Sequence, residues 1–347
     1  MRQFEVNGKI FSDETTPYVI AEVGHNHQGS LETALRLIQA AAHSGANAVK
    51  LQKRNNRTLY SKEAFDAPYV SENAYGPTYG SHREALEFGK DEYQICIEEA
   101  RKYNIDFFAT AFDFKSADFL MELNVPAFKI ASGDLKTLPL IEYVAKFGKP
   151  MIVSTGGGEI KDIERAVKKV LDHNSNLALL QCTAGYPPEY SELNLKVIST
   201  YRDRFPEVTI GYSGHDSGIS MALVSYVLGA RVIEKHFTLN RAMKGTDHAF
   251  SLEPVGMSKM VRDLNRAKEA LGDGQKRPYP SEEAPLKKMG KSLYATRDIA
   301  KGETLSDSMF DFRSPAIGLS PSELESFLGK TFSSNVESGN VIKESHF

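Results

Sequence analysis

Short apolar runs alternate with longer amphipathic segments through most of the chain. The runs are rich in β-branched and aromatic residues, which predicts strands at 18–23, 48–52, 106–110, 127–131, 151–154, 177–182, 208–212 and 232–236. Between them, apolar residues recur with the helical period, as at Leu31, Leu35, Ile38 and Ala42. Successive strand and helix pairs over about 250 residues predict a (β/α)8 TIM barrel, an α/β fold.

An open, doubly wound sheet is the main alternative to this barrel. Such a sheet usually has fewer strands, and the loop after the first predicted strand, 24–29, lacks the GxGxxG pattern of dinucleotide-binding folds. Two further features frame the barrel. Asn7 and Gly8 separate two short apolar runs, which predicts a β-hairpin at the amino terminus. A long polar segment, 53–90, follows the second strand on the face where barrel active sites lie, and we expect it to shape the site.

The pattern changes after residue 274. The predicted last barrel helix ends at Gly272-Asp273-Gly274, and the polar stretch that follows contains proline. Beyond it, short alternating runs are separated by turn signals such as Lys301-Gly302. We therefore predict a barrel domain with its hairpin over 1–274, a linker over 275–288, and a small, mostly β domain over 289–347.

Composition narrows the possible partners and location. The 347 residues carry a formal net charge of -3, which argues against nucleic acid as a partner. The amino terminus lacks the apolar core of a signal peptide, and no stretch approaches about 18 uninterrupted apolar residues, so we expect a cytoplasmic protein without a membrane partner. Cys96 and Cys182 have no CxxC spacing and support neither a disulfide framework nor a thiolate zinc site.

The carboxyl ends of the predicted strands are unusually polar, and in a barrel these ends meet at one mouth. Lys50 and Lys129 lie within apolar strands, where a buried ammonium group needs an anionic partner. That partner is either an anionic ligand or a carboxylate inside the barrel, Glu22 or Glu234. Hydroxyl groups and a glycine-rich turn follow other strands, and together with the lysines they favour phosphate and carboxylate; these are Thr110, Ser132, Ser154 and Gly156-Gly157-Gly158.

His215 and His236 end the neighbouring seventh and eighth strands. In a barrel both imidazoles can reach one divalent ion, and two histidines with nearby carboxylates suit Mn²⁺, Fe²⁺ or Zn²⁺. The alternative is a pair of hydrogen-bonded core histidines.

Seven motifs at these strand ends resemble the sialic acid synthase family: AEVGHNHQG, VKLQK, FKIASGD, LQCTAGYP, IGYSGHDSG, IEKHFTL and KGTDHAFSLEP. The carboxyl-terminal KSLYATRDIAKGETLS resembles the antifreeze-like (SAF, β-clip) domain of the same family. The resemblance covers nearly the full chain.

The resemblance implies a transferase that condenses phosphoenolpyruvate with an N-acetylmannosamine-type sugar, forming a nine-carbon 2-keto acid and inorganic phosphate. Mn²⁺ is the expected cofactor, with His215 and His236 as its ligands. The expected catalytic residues are Glu22, Lys50, Lys129 and Asp247. The expected substrate-binding residues are Gln52, Thr110, Ser132, Ser154, Tyr186, Glu234 and Arg313.

The family resemblance also implies a domain-swapped homodimer, in which Arg313 of one subunit contacts the sugar bound to the other. The chain departs from the bacterial pattern at Ala184, where an asparagine is common, and its segment 53–90 resembles the animal sialic acid phosphate synthases. The sugar is therefore open: free N-acetylmannosamine, its 6-phosphate, a diacetamido relative or mannose. His82 and Arg83 are candidate phosphate contacts if this segment folds inward.

Three other functions remain alternatives. Another phosphoenolpyruvate-dependent keto-acid synthase or a metal-dependent pyruvate aldolase would use a similar barrel. A carbohydrate-binding or ice-binding protein would use the barrel only as a scaffold.

Overall fold

A computed structural model describes residues 2–347 and divides them into two compact units, one ending at Gly272 and the other covering Asp273–Phe347. In the first unit the strands are β1 (Gln3–Val6), β2 (Lys9–Ser12), β3 (Tyr18–Gly24), β4 (Ala48–Lys53), β5 (Asp106–Ala111), β6 (Phe128–Ile130), β7 (Met151–Ser154), β8 (Leu177–Cys182), β9 (Thr209–Gly214) and β10 (Val232–His236). Strands β3 to β10 pair in parallel and form a closed barrel, with β10 hydrogen-bonded to β3. The predicted TIM barrel is confirmed.

Helices alternate with the barrel strands. The helices of this unit are α1 (Leu31–His43), α2 (Asn56–Leu59), α3 (Lys62–Asp66), α4 (Tyr79–Glu84), α5 (Lys90–Lys102), α6 (Phe114–Glu122), α7 (Leu138–Ala145), α8 (Ile160–Leu171), α9 (Val197–Arg204), α10 (Ser220–Val227) and α11 (Pro254–Leu271). In α8, Ile163, Ala166 and Val170 are buried at helical spacing, and lysines occupy the opposite face. Across residues 2–347, no helix is both long and apolar enough to cross a membrane.

Strands β1 and β2 form a hairpin against the amino-terminal end of the barrel. Its turn places Asn7 and Gly8 at positive φ, a conformation that these two residues tolerate. Phe4 and Phe11 pack edge-on against Tyr18, the first residue of β3. The hairpin thus covers the end of the barrel opposite the strand carboxyl ends.

The long segment after β4 is ordered into three short helices, α2 to α4. Asn55, Ser61 and Thr78 cap them, each accepting a hydrogen bond from a backbone N–H in the first turn. Side chains from this segment, including Tyr75 and Arg83, line the cavity at the barrel mouth. This agrees with the expectation that the segment shapes the site.

The second unit contains helices α12 (Glu283–Met289) and α13 (Leu324–Phe327) and strands β11 (Ser292–Ala295) and β12 (Phe310–Arg313). The two strands pair antiparallel, and isolated bridges such as Ile299 with Val336 extend the β structure around a small core. The stretch 275–288, predicted as a linker, differs from that expectation because it contains most of α12. The sequence analysis did not predict this helix because the stretch is polar and contains proline residues.

Candidate active site

A cavity of about 590 Å³ opens at the carboxyl ends of the barrel strands. It contains every residue that the sequence nominated for the site, with one exception, Arg313. The nominated residues on its wall are Glu22, Lys50, Gln52, Thr110, Lys129, Ser132, Ser154, Tyr186, His215, Glu234, His236 and Asp247. Arg313 lies in the second unit, at the end of β12, where its exposed guanidinium pairs with Asp311 at 2.6 Å.

Two lysines and two glutamates form an ion-pair network at the base of the cavity. The Nζ atom of Lys50 lies 2.5 Å from Oε2 of Glu22 and 3.6 Å from Oε2 of Glu234. Lys129 Nζ lies 3.3 Å from Oε1 of Glu234. All four side chains are buried. The sequence left two partners open for the lysines, an anionic ligand or a carboxylate of the barrel. The structure shows that Glu22 and Glu234 are such carboxylates, so an anionic ligand would bind next to their negative charge.

The two glutamates respond differently to this network. Burial is the main reason that the pKa of Glu22 is raised, because it outweighs the attraction of Lys50. Burial also opposes ionisation of Glu234, yet the ammonium groups of Lys129 and Lys50 overcome it and lower the pKa of Glu234. Carboxyl groups whose pKa values are pushed apart suit different acid and base roles. Of the two carboxyl groups, Glu22 is therefore the one that takes up a proton at the higher pH.

Hydroxyl groups surround this base. Thr110 accepts a hydrogen bond from Lys50 Nζ at 2.9 Å, and Ser132 Oγ accepts one from the Gly156 N–H at 3.0 Å. A Cβ at Gly156 would lie 2.8 Å from Ser132 Oγ, so the close approach requires glycine there. The buried hydroxyl of Ser154 has no hydrogen-bond partner among the described residues. A buried polar group without a partner indicates a place where a ligand or water binds.

The wall of the cavity continues upward along β4. Lys50, Gln52 and Arg54 alternate along the chain, so all three face the cavity. Gln52 donates to Glu22 Oε1 at 2.9 Å and accepts from Arg54 Nη2 at 2.7 Å. Glu22 is thereby connected through one amide to the rim. Gly24, at φ +53, allows the approach, since a Cβ there would lie 3.2 Å from both Gln52 and Glu22.

The rings of His215 and His236 are 5.2 Å apart between centroids. The Nδ1–H of His215 donates to the carbonyl of Thr183 at 3.0 Å, which leaves Nε2 free to act as a ligand. Burial lowers the pKa of His215 to about 3 and that of His236 to about 4, so both rings are neutral near pH 7. Within residues 2–347, no group of three or more His, Cys, Asp or Glu side chains is arranged to hold a metal ion.

Tyr186 and Asp247 complete the wall around the histidines. The Tyr186 ring lies 4.2 Å from that of His215 between centroids, and Asp247 Oδ2 lies 3.7 Å from His236 Nδ1. Phe250, which the sequence analysis did not identify, packs edge-on against the His236 ring, with 5.0 Å between the ring centroids. The histidines therefore border a polar cavity on one side and an aromatic wall on the other.

The sequence also missed residues at the rim, chiefly Arg54 and Phe112. Arg54 stacks on the Phe112 ring at 3.7 Å from its centroid, and both residues line the cavity. The signal that could have found Arg54 is the two-residue period of Lys50 and Gln52, continued by one step.

A closed parallel barrel whose strand ends gather buried lysines, carboxylates and histidines in one cavity is typical of a barrel enzyme with its active site at the strand ends. The chain matches the NeuB family over residues 37–276 and the SAF domain over 290–347. It belongs to the NeuB family. Members of this family are carbon–carbon bond-forming transferases, which confirms the prediction of an enzyme of this type.

Named relatives cover nearly the whole chain. The chain is 38% identical over 328 residues to N-acetylneuraminate-9-phosphate synthase of Homo sapiens, covering 94% of this chain and 91% of the relative. It is 38% identical over 330 residues to N,N'-diacetyllegionaminic acid synthase of Campylobacter jejuni, covering 94% and 98%. A solved structure of N-acetylneuraminic acid synthetase from Leptospira borgpetersenii, in complex with citrate, is 33% identical with a TM-score of 0.72, covering 82% of this chain and 95% of that chain.

Proposed function

We propose that this enzyme condenses phosphoenolpyruvate with an N-acetylmannosamine-type sugar, giving a nine-carbon 2-keto-3-deoxy acid and inorganic phosphate. The observation that carries the proposal is the pairing, in one cavity, of a lysine- and hydroxyl-lined base with two neutral histidines. The names of the relatives support the same reaction class, since they are synthases of such acids. The relatives differ in the sugar acid that they make, so they leave the sugar open.

Phosphoenolpyruvate is assigned to the base of the cavity. Lys50 and Lys129 supply positive charge, and the hydroxyls of Thr110, Ser132 and Ser154 supply donors for its carboxylate and phosphate. The unpartnered hydroxyl of Ser154 supports this assignment because a bound oxyanion would satisfy it. The two glutamates offset part of the positive charge of the lysines.

The sugar is assigned to the space next to the histidines, between Tyr186 and Asp247. The donor set fits a divalent ion in part, because two neutral imidazoles offer lone pairs and the remaining positions would fall to substrate and water. When bound, such an ion, Mn²⁺ in our expectation, supplies Lewis acidity to the sugar carbonyl. The unpartnered Nδ1 of His236 supports a ligand at this point.

Bond making and breaking then balance as follows. The C3 carbon of phosphoenolpyruvate attacks the aldehyde carbon of the open-chain sugar, whose oxygen takes a proton and becomes a hydroxyl. Water adds to C2, and the C2–O bond breaks so that inorganic phosphate leaves and a keto group remains. Glu22 positions this water and accepts its proton, because its carboxyl is buried at the cavity base with a raised pKa.

We also propose, from the family resemblance, that the active form is a homodimer in which Arg313 of one subunit contacts the sugar of the other. Arg313 forms an exposed ion pair with Asp311. Such a pair contributes little stabilisation, so Arg313 can give it up to contact a ligand, which supports the proposal. A cytoplasmic location remains a prediction from the sequence.

The experiment that tests the function measures phosphate release from phosphoenolpyruvate with Mn²⁺. The sugars compared are N-acetylmannosamine, its 6-phosphate, mannose and a diacetamido hexose, and the mass of each product is recorded. We expect release that depends on one of these sugars, with a product mass equal to sugar plus the keto-acid unit. A pyruvate aldolase would release no phosphate, and binding of a sugar without turnover would favour a carbohydrate-binding protein.

A further inference from the structure

A buried lysine lies behind the wall that carries the two histidines. Along β10, Glu234 and His236 line the cavity. Lys235 lies between them in the sequence, so its side chain points to the other face of the sheet, toward the surrounding helices. The preceding residue on that face, Ile233, is buried and apolar, and Lys235 itself is only 1% exposed. An ammonium group at such a place destabilises the fold unless it is paired.

Asp216 is the partner of this lysine. Lys235 Nζ lies 2.9 Å from Oδ1 of Asp216 and also donates a hydrogen bond to the Asp216 backbone carbonyl. The phenol of Tyr212, on β9, donates to the same Oδ1 at 2.7 Å. All three side chains are buried, and the cavity wall is formed by other residues. This group therefore lies out of reach of a substrate, and any influence on the reaction passes through its neighbours.

Those neighbours are the two histidines of the cavity. Asp216 directly follows His215, and Lys235 directly precedes His236, so the ion pair joins the residues next to both rings. The ladder of hydrogen bonds between β9 and β10 ends where Gly214 pairs with Lys235. His215 is the next residue along the chain, beyond the end of this ladder. Its backbone is therefore held relative to β10 by the attachment of Asp216 to Lys235.

The turn at the end of β9 packs tightly around this ion pair. A Cβ at Gly214 would lie 2.5 Å from the Tyr212 ring and 2.7 Å from Asp216 Oδ1, so the turn requires glycine there. On the far side of the same turn, the His215 ring is held by its hydrogen bond to the Thr183 carbonyl at 3.0 Å. His215 is thus fixed at two points, through its ring and through the backbone of the residue that follows it.

We propose that Lys235, through Asp216, is a positioning residue that sets the separation and orientation of the His215 and His236 rings, and with them the affinity of the site for a divalent cation. This inference rests on the proposed function, because it takes the two rings as ligands of the same site. Residues that orient metal ligands without touching the metal change its affinity when they are lost. An ion pair that only stabilises the fold would leave the cation affinity of the folded protein unchanged.

The test titrates Mn²⁺ alone, without substrates, into the wild type, Lys235→Met and Tyr212→Phe, and measures free Mn²⁺ by electron paramagnetic resonance. Lys235→Met should raise the Kd for Mn²⁺ roughly tenfold to a hundredfold. Tyr212→Phe keeps the ring and removes one hydrogen bond to Asp216, so its Kd should rise roughly twofold to tenfold. A wild-type Kd in folded Lys235→Met would overturn the proposal. If Lys235→Met does not fold, because a carboxylate is left buried without its ammonium partner, Tyr212→Phe decides in the same way.

Asp13→Asn is the matched control for a general loss of stability. Asp13 follows the hairpin at the opposite end of the barrel and pairs with Arg202 at 2.7 Å and with Arg231 at 3.6 Å. The variant should lower the midpoint of denaturant unfolding, because charge-assisted hydrogen bonds are lost, and keep the wild-type Kd for Mn²⁺. An equal rise of the Kd in this variant would contradict a specific role of Lys235.

A second measurement separates this inference from the proposed function. In metal-free protein with ¹⁵N-labelled histidine, the His215 signal, assigned by its loss in His215→Ala, reports the Nδ1–H group that bonds to Thr183. We expect this signal to shift in Tyr212→Phe and to stay in place in Asp13→Asn. If the wild type binds no Mn²⁺, or no sugar triggers phosphate release, the metal or the synthase assignment fails, and a shift still supports the positioning role. An unchanged His215 signal in Tyr212→Phe would overturn that role.

Discussion

The base and the rim of the cavity both contain two cations, but only the base supplies them with acids. Lys50 and Lys129 share Glu22 and Glu234 within 3.6 Å, whereas Arg54 and Arg83 face a neutral histidine. A self-neutralised network holds its geometry before a ligand arrives and can move a proton. An unneutralised pair gains most when an anion binds. The difference teaches that the base already contains counter-charges for its cations, whereas the rim leaves its cations without a carboxylate partner.

The largest expected effect comes from removing a cation at the base. Lys129→Met should abolish measurable condensation and lower the free energy of unfolding by about 3 kcal/mol, because it leaves Glu234 buried with one ammonium partner fewer. Denaturant unfolding and phosphate release measure the two effects. Lys168→Met, at an exposed pair with Asp172, is the matched control and should change stability by less than about 0.5 kcal/mol. A fully active Lys129→Met enzyme would show that the base does not hold phosphoenolpyruvate.

Glu22→Gln should lower kcat by roughly a hundredfold to ten-thousandfold, the range for loss of a general base. The pKa of Glu22 is raised above its ordinary value of 4.5, mainly by burial, so the active carboxylate is lost as the pH falls through that raised value. Wild-type activity should therefore decline on the acid side with an apparent pKa above 4.5, and the residual activity of Glu22→Gln should lack this decline. The pH profile of kcat checks it, and an identical acid limb in both proteins would remove Glu22 from this role.

The histidines lie on the cavity wall, and their loss tests whether a metal is needed there. His215→Ala and His236→Ala should each lower metal-dependent turnover by about a hundredfold or more, while circular dichroism shows the fold intact. Direct Mn²⁺ titration provides a readout independent of activity. Full activity and unchanged Mn²⁺ affinity in either variant would remove the proposed metal site.

Arg313 should give the smallest effect, because it is assigned to a single sugar contact outside the barrel unit. Arg313→Ala should raise the KM for the sugar about tenfold and leave the KM for phosphoenolpyruvate nearly unchanged. A truncation after residue 274 should behave like this variant or worse. Wild-type sugar affinity in the truncated protein would contradict the contribution of the second unit.

The sequence predicted most of the fold because parallel barrel strands are buried on both faces and read as continuous apolar runs. It placed β7, β8 and β10 at their observed bounds, whereas β6 is shorter than predicted and β9 extends to Gly214. Strand ends are less certain because the continuous apolar run breaks off where polar site residues begin.

The residues of the candidate site could be predicted from the sequence, but the contacts between their side chains could not. Strand-end position identifies Lys50 and Glu22 as cavity residues, but their contact depends on the register of β3 against β4. The rim depends in addition on how the segment 53–90 folds back, and its helices are short and stabilised by caps and aromatic contacts. Such contacts have no period along the sequence, so the fold of this segment could not be predicted, although the two-residue period of Lys50 and Gln52 does extend to Arg54.

The fate of the bridging oxygen of phosphoenolpyruvate tests the proposed condensation most directly. Turnover is started with the acceptor sugar, using phosphoenolpyruvate that carries ¹⁸O between C2 and phosphorus, and the released phosphate is analysed by mass. Attack of water at C2 in the base of the cavity predicts that the ¹⁸O leaves with phosphate. Unlabelled phosphate, formed by cleavage of the P–O bond, or release that does not require the sugar would contradict the assignment.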